Sequence, residues 1–210
     1  MRETRVSADP TRLPPFAPGM KIGLFGGSYN PPHDGHRAAS LIALRRLDLD
    51  RVWWLVSPGN PLKDTQSLPP LVARVEAARA LARHPRIEVT GIEARIGTHF
   101  TFETIAWLRQ HCPGVHFVWI MGADNLATFN QWRCWRDIAA LVPIAVIDRP
   151  GWTWSAMYSP AGAFLSRTRY DETDSRVFAL AKPPAFIFLH GPRSALSSTA
   201  LRAEAALRGR

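Results

Sequence analysis

A stretch near the start of the chain, residues 26–36, combines residue types that suit a bound polyphosphate. It reads GGSYNPPHDGH and follows a short apolar run. Two adjacent glycines, Gly26 and Gly27, let the backbone turn tightly and approach a ligand closely. His33 and His36 stand three residues apart, so both rings can project toward one site and donate hydrogen bonds to phosphate oxygens. These residue types at this spacing predict a phosphate-binding turn.

The residues after the glycines predict a helix whose first turn faces the same ligand. Asn30 and the two prolines that follow it predict a rigid, extended elbow. Asp34 can cap the next helix, and Gly35 keeps the first turn of that helix open. The N-terminus of a helix presents free N–H groups and a partial positive charge, which suits phosphate.

The histidine pair also has two other interpretations. A pair at this spacing can bind a metal ion, but no third ligand with recognisable spacing accompanies it, so we predict no metal site in the protein. The two rings can also be held locally in a loop without a ligand. The preceding apolar run and the glycines favour the phosphate interpretation. The stretch is neither a GxGxxG fingerprint nor a P-loop, which would end in Gly-Lys-Ser/Thr.

The charge balance points to an anionic partner. The 210 residues carry 26 Lys and Arg against 17 Asp and Glu, a net charge of +9, and all but three of the cations are arginine. Arginine holds its charge at physiological pH and forks onto phosphates. Because the arginines are scattered rather than clustered, we expect a phosphorylated small molecule and no nucleic acid.

The composition also indicates in which cellular compartment the protein is expected. The longest apolar stretch without charge, residues 138–147, has ten residues and contains a proline, whereas a bilayer span needs about 20 residues. The N-terminal residues show no apolar central segment of the kind that a secretory signal carries. The two cysteines, Cys112 and Cys134, stand in no metal-type spacing. We therefore expect a cytoplasmic protein with no membrane partner.

Apolar runs typical of buried strands alternate with segments of helical periodicity. The predicted strands are 21–28, 51–57, 86–93, 115–122, 143–151 and 185–191. The predicted helices are 38–47, 71–83, 102–110, 135–141 and 197–207. This alternation predicts an α/β fold, with a doubly wound, mostly parallel sheet of about six strands.

The chain divides into two regions at this level. Residues 1–20 are rich in proline and show no periodic pattern, so we expect a flexible N-terminal extension. We expect residues 21–210 to form a single domain, within which residues 152–184 show no regular pattern.

The ends of the later strands provide further candidates, because ligands of doubly wound sheets bind beyond the carboxyl ends of the strands. The sequence MGADN ends the fourth strand, and its Gly122 permits close approach. The sequence SSTALR follows the sixth strand, and Ser197 or Ser198 can cap the last helix. Taken alone, SSTALR is also explained as an ordinary helix cap followed by a surface arginine.

The stretch GGSYNPPHDGH closely resembles the N-terminal His-x-Gly-His signature of the nucleotidylyltransferase superfamily, and most of all that of the bacterial nicotinate-nucleotide adenylyltransferases. SSTALR resembles the second signature of this superfamily, Ser-Ser-Thr followed by a variable residue, an aliphatic residue and Arg. The resemblance covers roughly residues 21–150 and 185–206. It implies a Rossmann-like nucleotidylyltransferase fold.

The resemblance also implies an activity and its substrates. An enzyme of this family joins nicotinate mononucleotide to the AMP part of ATP and releases pyrophosphate, with Mg²⁺ carried by ATP. The implied catalytic residues are His33, His36 and Arg202. The implied ATP contacts are Gly26, Gly27, Ser28, Gly35, Gly122, Asp124, Ser197, Ser198 and Thr199. The implied mononucleotide contacts are Asn30, Lys63, Thr101 and Trp132.

Alternatives remain within and beyond this family. The acceptor can instead be nicotinamide mononucleotide or another phosphorylated molecule, although Trp132, ten residues past Gly122, favours a pyridine nucleotide. Leu62 stands where relatives often have His, so the sequence departs from the family pattern directly beside the predicted contact residue Lys63. A non-catalytic nucleotide-binding or nucleic-acid-binding module on the same fold is the alternative from a different class. No oligomeric state is indicated.

Overall fold

The computed structural model describes residues 9–59 and 68–191 of the chain. Its centre is one seven-stranded sheet in which every neighbouring pair of strands is parallel. The strands are β1 (Lys21–Gly27), β2 (Arg51–Val56), β3 (Ile87–Thr90), β4 (His116–Gly122), β5 (Ile144–Ile147), β6 (Arg169–Tyr170) and β7 (Phe186–Leu189). Their order across the sheet is β3-β2-β1-β4-β5-β7-β6.

Eight α-helices accompany the strands in the described residues. They are α1 (Asp34–Arg46), α2 (Leu71–Ala82), α3 (Ile92–Ile96), α4 (Thr101–His111), α5 (Ala123–Leu126), α6 (Trp135–Leu141), α7 (Thr153–Met157) and α8 (Pro160–Leu165). Short 3-10 helices span Phe129–Gln131, Ser166–Thr168, Glu172–Asp174 and Phe178–Leu180. No helix of the described ranges is long and apolar enough to cross a bilayer.

The strands bury side chains on both faces of the sheet, which explains their unbroken apolar runs. Leu24 and Trp53 belong to the core on one face. Phe25 and Trp54, the next residues along the same two strands, belong to the core on the other face. This alternation follows from the two-residue period of a strand.

The sheet reverses its winding at β1, and this reversal places the site. β1 pairs with β2 on one side and with β4 on the other. The chain therefore leaves β1 and β4 in opposite directions across the sheet, and a crevice opens beyond their carboxyl ends. Gly27 ends β1 and Gly122 ends β4.

The fold class predicted from the sequence is confirmed, and the strand count differs by one. The additional strand β6 has two residues and lies in the segment 152–184, which the sequence pattern left without elements. The predicted third strand over 86–93 is also shorter, because the chain turns at Gly91 and starts α3 at Ile92.

Residues 9–20 differ from the loose extension that the sequence predicts. Leu13, Phe16 and Met20 pack against the core, and the Phe16 ring meets Trp53 edge-on at 6.5 Å. The carbonyl of Pro10 accepts a hydrogen bond from the Gly91 N–H at 2.8 Å. These apolar side chains add to the core on one face of the sheet, which is the physical reason that this part of the extension is ordered.

Candidate active site

The strand β1 ends in two glycines, Gly26 and Gly27, that lie against aromatic rings. A Cβ atom on Gly26 would stand 2.6 Å from the Trp119 ring, so only glycine fits there without a shift of that ring. A Cβ on Gly27 would meet Tyr29 at 3.4 Å, an ordinary contact distance. The tight turn then requires a positive φ of 47° at Tyr29. Of the two glycines, Gly26 is therefore the one that the packing of Trp119 requires.

His33 and His36 lie together at the start of α1. His33 is the N-cap of the helix, so the helix begins at Asp34, which is therefore not the capping residue. The two imidazole rings lie 3.8 Å apart between centroids and are tilted by 34°. Both residues are buried, with 5% and 9% of their surface exposed.

A backbone hydrogen bond fixes the tautomer of His36. The N–H of His33 donates to Nδ1 of His36 at 3.2 Å. A nitrogen that accepts this bond carries no proton in the neutral ring, so the proton of His36 lies on Nε2. His36 is therefore a neutral N–H donor with a defined direction.

The histidines are held uncharged by their surroundings. Burial lowers the pKa of His33 to about 4, and the cation of Arg149 adds to this effect. Burial lowers the pKa of His36 to about 3, with further contributions from His33 and Arg149. A phosphate group placed among these side chains would favour their charged forms, because an opposite charge nearby stabilises a cation.

The His36 ring packs against a layer of two aromatic side chains, Tyr29 and Trp54. Tyr29 lies 4.7 Å from His36 and stacks on Trp54 at 4.9 Å, with an interplanar angle of 17°. The Tyr29 hydroxyl donates to the carbonyl of Phe25 at 2.8 Å, and Trp54 Nε1 donates to Ser40 Oγ at 2.7 Å. The ring of His36 is thus positioned by packed side chains.

An ion pair follows the ends of β4 and β5. Nε of Arg149 lies 3.2 Å from Oδ1 of Asp124. A Cβ on Gly122 would stand 2.3 Å from the same carboxylate oxygen and 2.7 Å from Arg149 Nε, so this pair needs glycine at the strand end. Both charged groups act on His33, and Arg149 also acts on His36. The structure therefore adds a cation to the histidine turn.

A pocket of about 270 Å³ adjoins the glycine turn. Gly26, Gly27 and Ser28 form one wall, and Ser57 and Gly59 continue it after β2. The remaining lining residues come from the start of α4, from α5 and from the segment that follows α5, and they include His99, Phe100, Thr101, Asn125, Gln131, Trp132 and Arg133. These segments follow the strands β1, β2, β3 and β4 in the chain, so the pocket lies at the carboxyl edge of the sheet.

Trp132 forms an aromatic wall of this pocket. Its ring packs edge-on against Trp119 at 6.2 Å and against Phe129 at 5.4 Å. The ring is half-buried, which leaves part of its surface to the pocket. Thr101, the first residue of α4, also lines the pocket, so the free N–H groups of that helix start lie near it.

A buried carboxyl group, Glu93, also lines the pocket. Its Oε1 accepts a hydrogen bond from Thr104 Oγ1 at 3.1 Å, and that hydroxyl lies 3.0 Å from Thr98 Oγ1. Burial raises the pKa of Glu93 from 4.5 to about 7, despite the opposing hydrogen bond from Thr104. Glu93 is thus a group that changes charge near neutral pH within the pocket.

The structure divides the predicted site residues into three groups. The pocket brings together Gly26, Gly27, Ser28, Thr101 and Trp132. The neighbouring histidine turn holds His33, His36 and Gly35, with Asp124 and Gly122 facing it, while Asn30 lies in the loop that leads to it. The predicted residues Lys63, Ser197, Ser198, Thr199 and Arg202 lie outside the described residues.

Sequence reasoning missed three side chains at this edge. Arg149 is the second residue after β5, a position that the strand-end rule covers, so that rule could have found it. Arg133 places its guanidinium carbon 4.5 Å from the centroid of Phe100 and its Nη1 3.8 Å from Glu103. Glu93 was assigned to a strand end, and no local signal marks it as buried beside a pocket.

Comparison with known proteins gives the class. A family model described as cytidylyltransferase-like matches residues 24–204, so the chain belongs to the cytidylyltransferase-like family. The parallel sheet with flanking helices agrees with the nucleotidylyltransferase fold that the sequence predicts.

Curated relatives narrow the class further. A protein of Methylorubrum extorquens (strain PA1) named "Probable nicotinate-nucleotide adenylyltransferase" is 57% identical over 183 residues, which cover 87% of this chain and 99% of that relative. A relative of the same name from Brucella abortus (strain 2308) is 53% identical over 183 residues, 87% of this chain and 94% of its own length. Within its family, the chain thus falls among the nicotinate-nucleotide adenylyltransferases.

Solved structures share the fold at low sequence identity. Nicotinic acid mononucleotide adenylyltransferase of Plasmodium falciparum, complexed with APC, matches with a TM-score of 0.64 and 15% identity over 88% of this chain and 83% of that chain. The same enzyme complexed with NaAD matches with a TM-score of 0.62 and 15% identity, over 87% and 82%. At this identity the likeness concerns the fold.

Proposed function

We propose that the protein transfers AMP from ATP to nicotinate mononucleotide, giving nicotinate adenine dinucleotide and pyrophosphate. One observation carries the proposal: a pocket walled by Trp132 opens directly beside the glycine turn that leads to His33 and His36. A flat ring and a polyphosphate can therefore occupy adjacent places at one sheet edge. The names of the relatives support the same reaction.

The pocket suits the pyridine part of the mononucleotide. The face of Trp132 offers a stacking surface for a flat, electron-poor ring. The first turn of α4, which begins at Thr101, offers N–H groups and a partial positive charge to a carboxylate on that ring. A pyridine carboxylate therefore has both an aromatic wall and a helix start within the same pocket.

The histidine turn suits the phosphates of ATP. In this proposal Nε2 of His36 donates toward the α-phosphate, and His33 and Arg149 stabilise the charge that grows during the reaction. Gly26, Gly27 and the start of α1 bring backbone N–H groups to the phosphates. The proposal also includes Ser197, Ser198, Thr199 and Arg202 as ligands of the ATP phosphates, and Lys63 as a contact of the mononucleotide. These assignments rest on the sequence motifs alone.

The reaction needs no general base. An oxygen of the mononucleotide 5′-phosphate is already an anion, and it forms a bond to the α-phosphorus of ATP. The bond from that phosphorus to the bridging β-oxygen breaks, and pyrophosphate leaves with the electron pair. The protein's contribution is positioning and electrostatic stabilisation. ATP enters as its Mg²⁺ complex, with the ion held by phosphate oxygens and water.

The test is pyrophosphate release with ATP and Mg²⁺, comparing nicotinate mononucleotide with nicotinamide mononucleotide. We expect rapid release with the acid and slower release with the amide, because the pocket presents a helix start to the carboxylate. Equal use of both would overturn the acid preference and leave a pyridine-nucleotide adenylyltransferase. No release with either would overturn the proposed function.

A further inference from the structure

Arg74 is a buried arginine that donates only to backbone carbonyls in the described residues. It lies in the first turn and a half of α2, and 3% of its surface is exposed. Its Nη1 donates to the carbonyls of Ser28 at 2.9 Å and Ser57 at 2.7 Å. Its Nη2 donates to Pro58 at 3.2 Å and its Nε to Pro69 at 3.0 Å. One side chain thereby joins three separate segments of the chain.

Two of these segments are walls of the pocket. Ser28 follows the glycine turn after β1, and Ser57 follows β2; both line the pocket. The parallel pairing of β1 and β2 ends at Gly27 and Val56, and the last backbone bond joins the Ser57 N–H to the Gly27 carbonyl at 3.0 Å. Beyond that bond, Nη1 of Arg74 joins the two loops of the described residues by donating to a carbonyl of each. The distance between these pocket walls therefore depends on it.

The fork of the guanidinium is the reason that arginine suits this place. It holds five N–H donors in one plane, so it can serve several carbonyls in fixed directions at once. Lysine has the same charge, but its three donors lie on one nitrogen at the end of a flexible stem. The ion pairs of the described residues do not include Arg74, so its role rests on these carbonyl bonds.

We propose that Arg74 is a positioning residue for the adenylyl transfer, which holds the glycine turn and the loop after β2 at the separation that the mononucleotide requires. This inference rests on the proposed function. Arg74 touches no substrate in this proposal and acts through Ser28 and Ser57. Because the loop that begins at Ser28 leads directly to His33 and His36 at the start of α1, a shift of that loop also displaces the histidines.

The experiment compares two substitutions of Arg74 with the same substitutions at Arg79. Arg74→Lys keeps the charge and removes the fork, and Arg74→Gln removes the charge and keeps two N–H donors. Arg79 lies on the same helix and also donates to a backbone carbonyl, that of Val89 in β3 at 3.2 Å. Arg79→Lys and Arg79→Gln therefore control for the loss of an arginine from α2.

Three kinds of measurement are made on each variant. Steady-state kinetics gives KM and kcat with nicotinate mononucleotide and ATP, thermal unfolding gives the midpoint, and mass spectrometry gives the amide hydrogen exchange of the peptides around Ser28 and Ser57. We expect both Arg74 variants to lose about tenfold or more in kcat/KM for the mononucleotide, with a raised KM. We also expect faster exchange of the Ser57 N–H. The Arg79 variants should stay within about twofold of the wild type.

Each other outcome has a definite meaning. Wild-type kinetics in Arg74→Lys would overturn the proposal, because charge alone would then be sufficient. Unchanged exchange at Ser57 would overturn it as well, as would the loss of cooperative unfolding in both Arg74 variants, which would make the residue general support for the fold. Failure of the proposed function is separate, because it shows as an inactive wild type while the exchange difference persists.

Discussion

The backbone N–H of His33 donates to Nδ1 of His36 at 3.2 Å, and this bond determines which nitrogen of His36 can act on a substrate. The N-cap position of His33 makes the bond possible, because its N–H lies outside the helical hydrogen-bond pattern. The first residue of the pair thus orients the second. A neutral His36 with its proton on Nε2 suits an α-phosphate that gains charge.

His36→Ala should lower kcat by about 10²-fold or more, because it removes a preorganised donor to the growing charge. His36→Gln should retain more activity than His36→Ala, because its amide nitrogen can stand near the position of Nε2. Steady-state pyrophosphate release measures both variants. His111→Ala removes an exposed imidazole that stacks on Trp107, and it should leave kcat unchanged. Equal kcat in wild type and His36→Ala would contradict this role.

Trp132→Ala should raise KM for nicotinate mononucleotide by about 10- to 100-fold, while KM for ATP changes little. The reason is the loss of a stacking face worth about 1–3 kcal/mol. Trp132→Phe should recover much of the affinity because it keeps an aromatic ring. Isothermal titration with the mononucleotide gives the affinities directly.

The matched control for Trp132 is Trp107→Ala. Trp107 is also half-buried and packs partly against the same core, but it does not line the pocket. A rise in KM of the same size in this variant would assign the effect to core packing and contradict a stacking role for Trp132.

Glu93→Gln should change how stability depends on pH. The Glu93 carboxyl has a pKa of about 7 in the folded protein and 4.5 in the unfolded chain. The folded state therefore binds the extra proton between these values, and the free energy of unfolding falls as the pH rises from about 4.5 to 7. Glu93→Gln removes this fall, so the variant should gain stability relative to the wild type at pH 8, by about 3 kcal/mol at most.

Urea unfolding of both proteins at several values between pH 5 and pH 8 tests this prediction. Glu76→Gln, on the exposed face of α2, is the control and should follow the wild type across the series. Parallel curves for the wild type and Glu93→Gln would show that Glu93 does not titrate in this range.

Local patterns were sufficient for the elements whose apolar residues follow a clear helical or strand pattern. The helix predicted over 135–141 is α6 itself, and the strand ends at Gly27 and Gly122 follow apolar runs of ordinary length. The two-residue strand β6 has no apolar run of its own and exists because β7 offers a free edge, which only the assembled sheet provides.

The candidate site shows the same division between local and tertiary information. His33 and His36 lie within one helical turn, so their spacing brings them together without help from the rest of the fold. Arg149 reaches Asp124 from a different strand end, and Arg74 reaches Ser28 across 46 residues. No local pattern contains such pairings, because they arise only when the strands take their order in the sheet.

Gly26→Ala should destabilise the protein and disturb the pocket. The new Cβ would stand 2.6 Å from the Trp119 ring, which is 2% exposed and has little room to move. A forced shift of Trp119 is transmitted to Trp132, whose ring packs edge-on against it. We expect a loss of about 1–3 kcal/mol of unfolding free energy, as for other overpacked cores, together with a raised KM for the mononucleotide.

Gly27→Ala is the matched control for this change, one residue along the same strand. Its Cβ would meet Tyr29 at 3.4 Å, an ordinary contact, so the thermal midpoint should stay close to that of the wild type. Differential scanning calorimetry of the two variants gives the comparison. If both alanine variants lowered the midpoint equally, the loss of stability would come from the backbone conformation of the turn and not from the Trp119 contact. If Gly26→Ala unfolded like the wild type, the Trp119 ring would have to move freely, and its contact with Trp132 would not hold the pocket wall in place.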